Sequence, residues 1–283
     1  MKVLKFGGSS VGTSEAIQQV IEIITRTGES GPCAIVLSAL QGTTDDLIEA
    51  GRSAASGDDG YIELLSRIGD RHLEAIRELF NNGQTLPVTD FVESTIKDLA
   101  DLLEGVRLTR ELTPRTLDRI LSFGEIVATK IVSGKMTEDA IDNEWHDSRL
   151  LIRTNSNHGS AVVDFGETND RVADYFADSG SNIRILPGFV ASDAGGQTTT
   201  LGRGGSDYTA AIVAAAVDAE VLEIWTDVNG MMSADPRLVR NVRQISHITY
   251  REAMELSHFG AKVIYPPTIQ PVIAPRIASP RVA

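Results

Sequence analysis

The sequence predicts an α/β fold built on a parallel sheet that is covered on both faces. Three observations carry this. Residues 3–6 and 34–37 are short, nearly continuous apolar runs, as expected of strands buried on both sides. Between them Ile17, Val20, Ile21 and Ile24 recur at helical spacing, with Thr13 or Ser14 as the N-cap. Strand, glycine-rich turn, helix and strand in that order make a βαβ unit, whose crossover joins parallel strands.

The later elements follow from the same signals. Residues 61–80 and 88–110 each place apolar side chains at i, i+3 and i+4, and Thr113-Pro114 opens a third helix as cap and first-turn proline. Strands are predicted at 150–152, 161–165 and 183–190. The turn chemistry of residues 192–197 predicts a hairpin. A helix over about 206–219, a strand at 221–226 and a helix from Thr249 come next, the last marked by the capping box Thr249-x-x-Glu252. No repeat or linker divides the 283 residues, so the expectation is one α/β unit of two lobes.

Composition narrows the function. Lys and Arg number 26 against 39 Asp and Glu, a net charge of −13 whose field repels phosphate backbones and anionic lipid. Neither a nucleic acid nor a membrane is expected as partner, and a polyanionic ligand needs a local basic cluster. Cys33, the one cysteine, lies in an apolar run and reads as a buried structural thiol. No stretch approaches the ~20 apolar residues of a membrane span, and the N-terminus carries no secretory pattern, so a cytoplasmic protein is expected. The five histidines show no metal-ligand spacing and read as solvated or hydrogen-bonded.

Six segments carry candidate chemistry. Lys5-Phe6-Gly7-Gly8-Ser9 joins a strand end to a helix, where backbone N–H groups cradle an anion and a lysine adds a point charge; the plain alternative is a tight turn with a solvated lysine. Thr198-Thr199-Thr200-Leu201-Gly202-Arg203-Gly204-Gly205-Ser206-Asp207 packs glycines, hydroxyls, an arginine and a carboxylate into one strand-to-helix junction. It offers donors to phosphate, Arg203 to a carboxylate and Asp207 to a cation. The dinucleotide fingerprint G-x-G-x-x-G breaks here at Asp207. Thr226-Asp227, with Met232 and Arg237 beyond, follows a strand end where an adenine or ribose could bind. Phe259-Gly260-Ala261-Lys262 supplies a second lysine, in isolation no more than a surface charge. Gly124 interrupts a helix at a cost of about 1 kcal/mol against alanine, which implies close packing or ligand approach beside Glu125. Ser38 and Thr44 flank a Gly/Thr turn after the second strand.

Together these motifs resemble the catalytic domain of aspartate kinase, in the amino-acid kinase superfamily, from Met1 to about Pro271. The resemblance implies a three-layer αβα sandwich with a mostly parallel sheet. Residues 1–196 would form an amino-acid-binding lobe and 197–283 a nucleotide-binding lobe. It further implies transfer of the ATP γ-phosphoryl group to L-aspartate with Mg²⁺, the first step toward lysine, threonine and methionine. Lys5, Lys262 and Asp207 would be catalytic, with Asp207 toward the metal. Gly7, Gly8, Gly204, Gly205, Thr226, Asp227, Met232 and Arg237 would join the two lysines around ATP; Ser38, Thr44, Glu125, Arg203 and Ser206 would hold aspartate. Met232 stands where the family often has tyrosine. The segment after Pro271 is too short for the family's ACT regulatory modules, so insensitivity to lysine and threonine is expected; a homo-oligomer is left open. A sister kinase for acetylglutamate, glutamate or UMP, a dinucleotide-dependent dehydrogenase and a nucleotide-binding remnant without turnover are the alternatives.

Overall fold

A computed structural model describes the chain except residues 81–85, 179, 228–229, 231, 235–238, 259–267, 269, 274–277 and 283. A six-stranded sheet in the order β3-β5-β2-β1-β8-β9 forms the middle layer: β1 (Lys2–Phe6), β2 (Cys33–Leu37), β3 (Glu144–Trp145), β5 (Ile183–Pro187), β8 (Val221–Trp225) and β9 (Ala278–Val282). Every neighbouring pair in it is parallel. A smaller sheet orders β4 (Arg153–Thr154), β6 (Val190–Asp193) and β7 (Thr198–Thr200), with β6 and β7 as the antiparallel hairpin expected at 192–197.

The strand period of two decides the layers. Leu4 and Phe6 of β1 face the core shared with α1 (Ser14–Glu29), α3 (Gly60–Leu79) and α5 (Pro114–Glu138). Val3 faces the opposite core, built around α8 (Gly205–Ala216) with α7 (Phe165–Ala177) beside it. A third cluster fills the space among α2 (Thr43–Ser56), α3, α4 (Leu86–Thr109) and α5. The expected three-layer αβα sandwich is therefore present. Caps act where the sequence placed them: the Thr113 hydroxyl accepts from the Thr116 N–H at 3.1 Å, and Thr249 and Glu252 exchange hydrogen bonds ahead of α9 (Tyr250–His258). Cys33 is buried, and that burial raises its thiol to about 11. Among the described residues no helix is long and apolar enough to cross a membrane.

Several expected elements differ. Residues 150–152 are not a strand: Asp147 caps a short helix, α6 (Ser148–Leu151), and only Arg153–Thr154 pair. The run 161–165 contributes only a bridge from Val163 to Thr154, because Asp164 accepts from the Glu167 N–H and starts α7. The stretch 183–190 is two strands in different sheets, parted at Gly188-Phe189, where Phe189 holds a left-handed φ of 69°. Helix α2 was unforeseen; it starts where Gly42 turns the chain at φ 79°. The final segment supplies α10 (Gln270–Ile273) and β9, which lengthens the main sheet beside β8.

Candidate active site

The carboxyl ends of β1, β2, β5 and β8 lie along one edge of the main sheet, the edge where ligands of open α/β sheets bind. Lys5 is the penultimate residue of β1 and, by strand alternation, points to the α8 side. There its Nζ meets Asp207 Oδ1 at 2.7 Å, the two side chains being 11% and 19% exposed. Asp207 lies in the first turn of α8, so its charge also favours the helix N-terminus. Gly202 and Gly204 take φ values of 72° and 71°, which folds the turn back and leaves Arg203 exposed at its tip.

Facing this turn is α5. A methyl group on Gly124 would come within 2.9 Å of Ala39 Cβ, so the glycine exists to let α5 press against the loop after β2. That contact buries Glu125, whose Oε2 has no hydrogen-bond partner. Burial pushes its carboxyl up to about 8; the N–H groups of Glu125 and Ala39 offset this only in part. A cleft of about 440 Å³ joins Lys5, Ser38, Thr44, Glu125, Arg203, Gly204, Gly205, Ser206 and Asp207. All five residues expected to hold an amino acid open on this one cavity.

Other expected residues are not brought to it. Thr226 and Asp227 lie just past β8, where the Thr226 hydroxyl donates to Asp227 Oδ1 at 3.0 Å, and Met232 bridges Gln244; none of the three lines the cleft. Two of the glycine donors are already engaged: the Gly7 N–H reaches Trp225 O (3.4 Å) and the Gly205 N–H donates to Gly202 O (3.0 Å). The first is taken up by the neighbouring strand β8 and the second by the glycine turn itself, so the anion cradle is narrower than the glycine count suggested. Gly8 begins a 3-10 turn, Gly8–Val11. Lys262 and Arg237 lie outside the described residues. His72 is the buried, hydrogen-bonded kind of histidine that the sequence reading allowed: its Nδ1 lies against Ile68 O at 2.7 Å, Nε2 is unpartnered, and burial lowers its pKa to about 4.

Sequence reasoning missed Asp118, Gly159 and Phe189, which also line the cleft, as does Thr200 of the singled-out segment 198–207. Asp118 and Leu121 precede Glu125 at helical i, i+3 and i+7 spacing, a signal that was available. Gly159 and Phe189 carry no local signal, since only the fold brings their loops to α5.

Taken as a whole sequence, residues 1–278 match the model of the amino acid kinase family. The chain belongs to that family. This amino acid kinase is 33% identical over 272 residues to the chloroplastic bifunctional aspartokinase/homoserine dehydrogenase 2 of Arabidopsis thaliana, covering 96% of this chain and 30% of that protein. It is 33% identical over 273 residues to the lysine-sensitive aspartokinase 3 of Escherichia coli (strain K12), covering 96% and 59%. Among solved structures, E. coli aspartokinase III in complex with aspartate and ADP (R-state) superposes with a TM-score of 0.88 at 32% identity, covering 98% of this chain and 60% of that one. The chain thus spans 30% to 59% of the length of these two curated relatives.

Proposed function

We propose that this amino acid kinase is an aspartate kinase, transferring the γ-phosphoryl group of ATP to the side-chain carboxylate of L-aspartate. The observation that carries the reading is the cleft itself. It sets a buried carboxyl at Glu125, whose Oε2 has no hydrogen-bond partner, in one cavity with Arg203 and the Lys5–Asp207 pair. That donor set suits a zwitterionic amino acid with a further carboxylate: Glu125 for the ammonium, Arg203 for a carboxylate, and Ser38, Thr44 and Ser206 as hydroxyl donors. The relatives named aspartokinase, and the E. coli structure described with aspartate and ADP, support the same substrates.

The chemistry asks little of the protein. A free aspartate side chain has a pKa of about 4, so its carboxylate is the nucleophile at pH 7 and no general base is needed. One oxygen forms a bond to the γ-phosphorus, the bond to the β-bridging oxygen breaks, and ADP leaves with the electron pair. The products are 4-phospho-L-aspartate and ADP. Catalysis then consists of holding two anions in line and neutralising charge on the moving group. Lys5, with the backbone at Gly8 and Gly204, serves the phosphates. Lys262, Arg237, Thr226, Asp227 and Met232 complete the nucleotide side of the reading, with about 197–283 as the nucleotide lobe and 1–196 as the amino-acid lobe.

Mg²⁺ binds through one or two carboxylates plus phosphate oxygens and keeps several waters. Of the three carboxylates in the cleft, Asp118 is saturated by donors and Glu125 is kept largely neutral by burial, which leaves Asp207 as the fitting ligand. When bound there, Mg²⁺ would neutralise phosphate charge. An ATP-dependent hydroxamate assay tests the proposal, with hydroxylamine trapping the acyl phosphate. Turnover with L-aspartate, and none with glutamate, acetylglutamate or UMP, is the expected result. Turnover with another member of that panel alone would assign a sister kinase, and ATP binding without any turnover would refute kinase activity.

A further inference from the structure

Asp118 is a fully buried carboxylate in the wall of the cleft, yet it is not available to a ligand. Its two oxygens accept from the Gly159 N–H at 3.1 and 3.0 Å, from the Thr200 hydroxyl at 2.5 Å, and face His158 Nδ1 at 2.9 Å. These donors come from separate parts of the chain. Thr200 ends β7, two residues before the Gly202 turn that carries Arg203; Gly159 belongs to the loop between β4 and α7. That loop in turn abuts the glycine turn, since a methyl on Gly202 would lie 3.5 Å from Gly159 O. Asp118 itself sits two helical turns before Glu125 on one face of α5. A second tie between α5 and the hairpin, Arg115 to Gln197 Oε1 at 2.6 Å, is solvent-exposed and correspondingly weak.

We propose that Asp118 is a positioning residue: acting through Thr200 and Gly159, it sets the separation between the Glu125 and Arg203 ends of the amino-acid cleft. This rests on the substrate reading given above. A buried carboxylate is strongly disfavoured unless donors satisfy it, and here the satisfaction is supplied by the elements whose placement matters. The arrangement is rigid because losing any one donor leaves charge unpaired in a dry site. Such a knot aligns an amino acid with two charged ends and bears little on the nucleotide. His158 adds a third tie, its ring 14% exposed against a carboxylate that is 1% exposed.

The test is steady-state kinetics of Asp118→Asn, Thr200→Val and Thr200→Ser, with thermal melting of each. Asparagine keeps the shape but turns one acceptor into a donor facing the Gly159 N–H. Valine deletes the Thr200 donation at constant shape, and serine restores it. The expected result for Asp118→Asn and Thr200→Val is a KM for aspartate raised about tenfold or more, with kcat and the KM for ATP within about threefold, and recovery in Thr200→Ser. Equal changes in both KM values, or a lowered melting temperature with aspartate KM unchanged, would overturn the proposal. Should Asp118→Asn fail to fold, the valine and serine pair decides alone: a serine variant no better than valine refutes the role. Wild-type protein without aspartate turnover would refute the substrate reading instead, a result visible before any variant is made.

Discussion

Replacing Glu125 by glutamine tests the amino-acid site through its protonation. Burial raises this carboxyl from the ordinary 4.5 to about 8. An ammonium ion is attracted only by the ionised form, so ligand binding must first deprotonate Glu125. With a pKa near 8 the ionised fraction is about one hundredth at pH 6, one tenth at pH 7 and one half at pH 8. The apparent dissociation constant scales inversely with that fraction, so affinity for aspartate should rise about tenfold from pH 6 to 7 and about fivefold from 7 to 8. Free aspartate keeps its ammonium charged across this range, so the slope belongs to the protein. Isothermal titration in buffers of different ionisation enthalpy should register release of about 0.9 proton per ligand at pH 7. Glu125→Gln should bind more weakly and show neither the slope nor the proton release. The same shift acts on stability. A raised folded-state pKa contributes stability that is complete below 4.5 and is lost as pH rises through 8. The melting temperature of the unliganded glutamine variant should therefore fall less between pH 6 and 9 than that of the wild type. A wild-type affinity flat from pH 6 to 8, or an unchanged slope in the variant, would refute the reasoning.

Other perturbations separate the remaining parts of the site. Lys5→Met should lower kcat by about 10²-fold with little change in either KM, because its charge matters most as the phosphoryl group moves. Since the change also strands Asp207, the double variant with Asp207→Asn should recover melting temperature but not rate. Arg203→Ala should cost about 2–3 kcal/mol of aspartate binding and leave ATP affinity within a small factor, measured by titration of each ligand. Gly124→Ala should destabilise despite an intrinsic helix gain of about 1 kcal/mol, because a methyl 2.9 Å from Ala39 Cβ imposes about 1–3 kcal/mol of overpacking. Calorimetry would show the loss, and a raised melting temperature would contradict it.

Much of this architecture is legible in one dimension, wherever the cause is local. The apolar runs of β1 and β2, the 3.6-residue period of α1, the Thr113-Pro114 cap and the Thr249-x-x-Glu252 box depend on residues within a few positions of one another. The same holds for the site segments, since a glycine turn at a strand end carries its chemistry wherever the strand goes. Errors arose where two local signals competed. An apolar run at 161–165 lost to the Asp164 cap, and the run at 183–190 was divided by a left-handed Phe189 that no residue preference announces. Tertiary structure alone decided which segments share a cavity and what each group's charge is there. Glu125 is an ordinary helical glutamate by sequence. It becomes a carboxyl with a pKa near 8 because Gly124 lets its helix close on Ala39, a residue far away along the chain that the assembled sheet brings into contact.

 Asp118 likewise reads as one more surface carboxylate until the hairpin and the loop after β4 arrive to saturate it. Burial and long-range pairing depend on distances through space, and the spacing of residues along the chain does not encode those distances until the whole sheet has assembled.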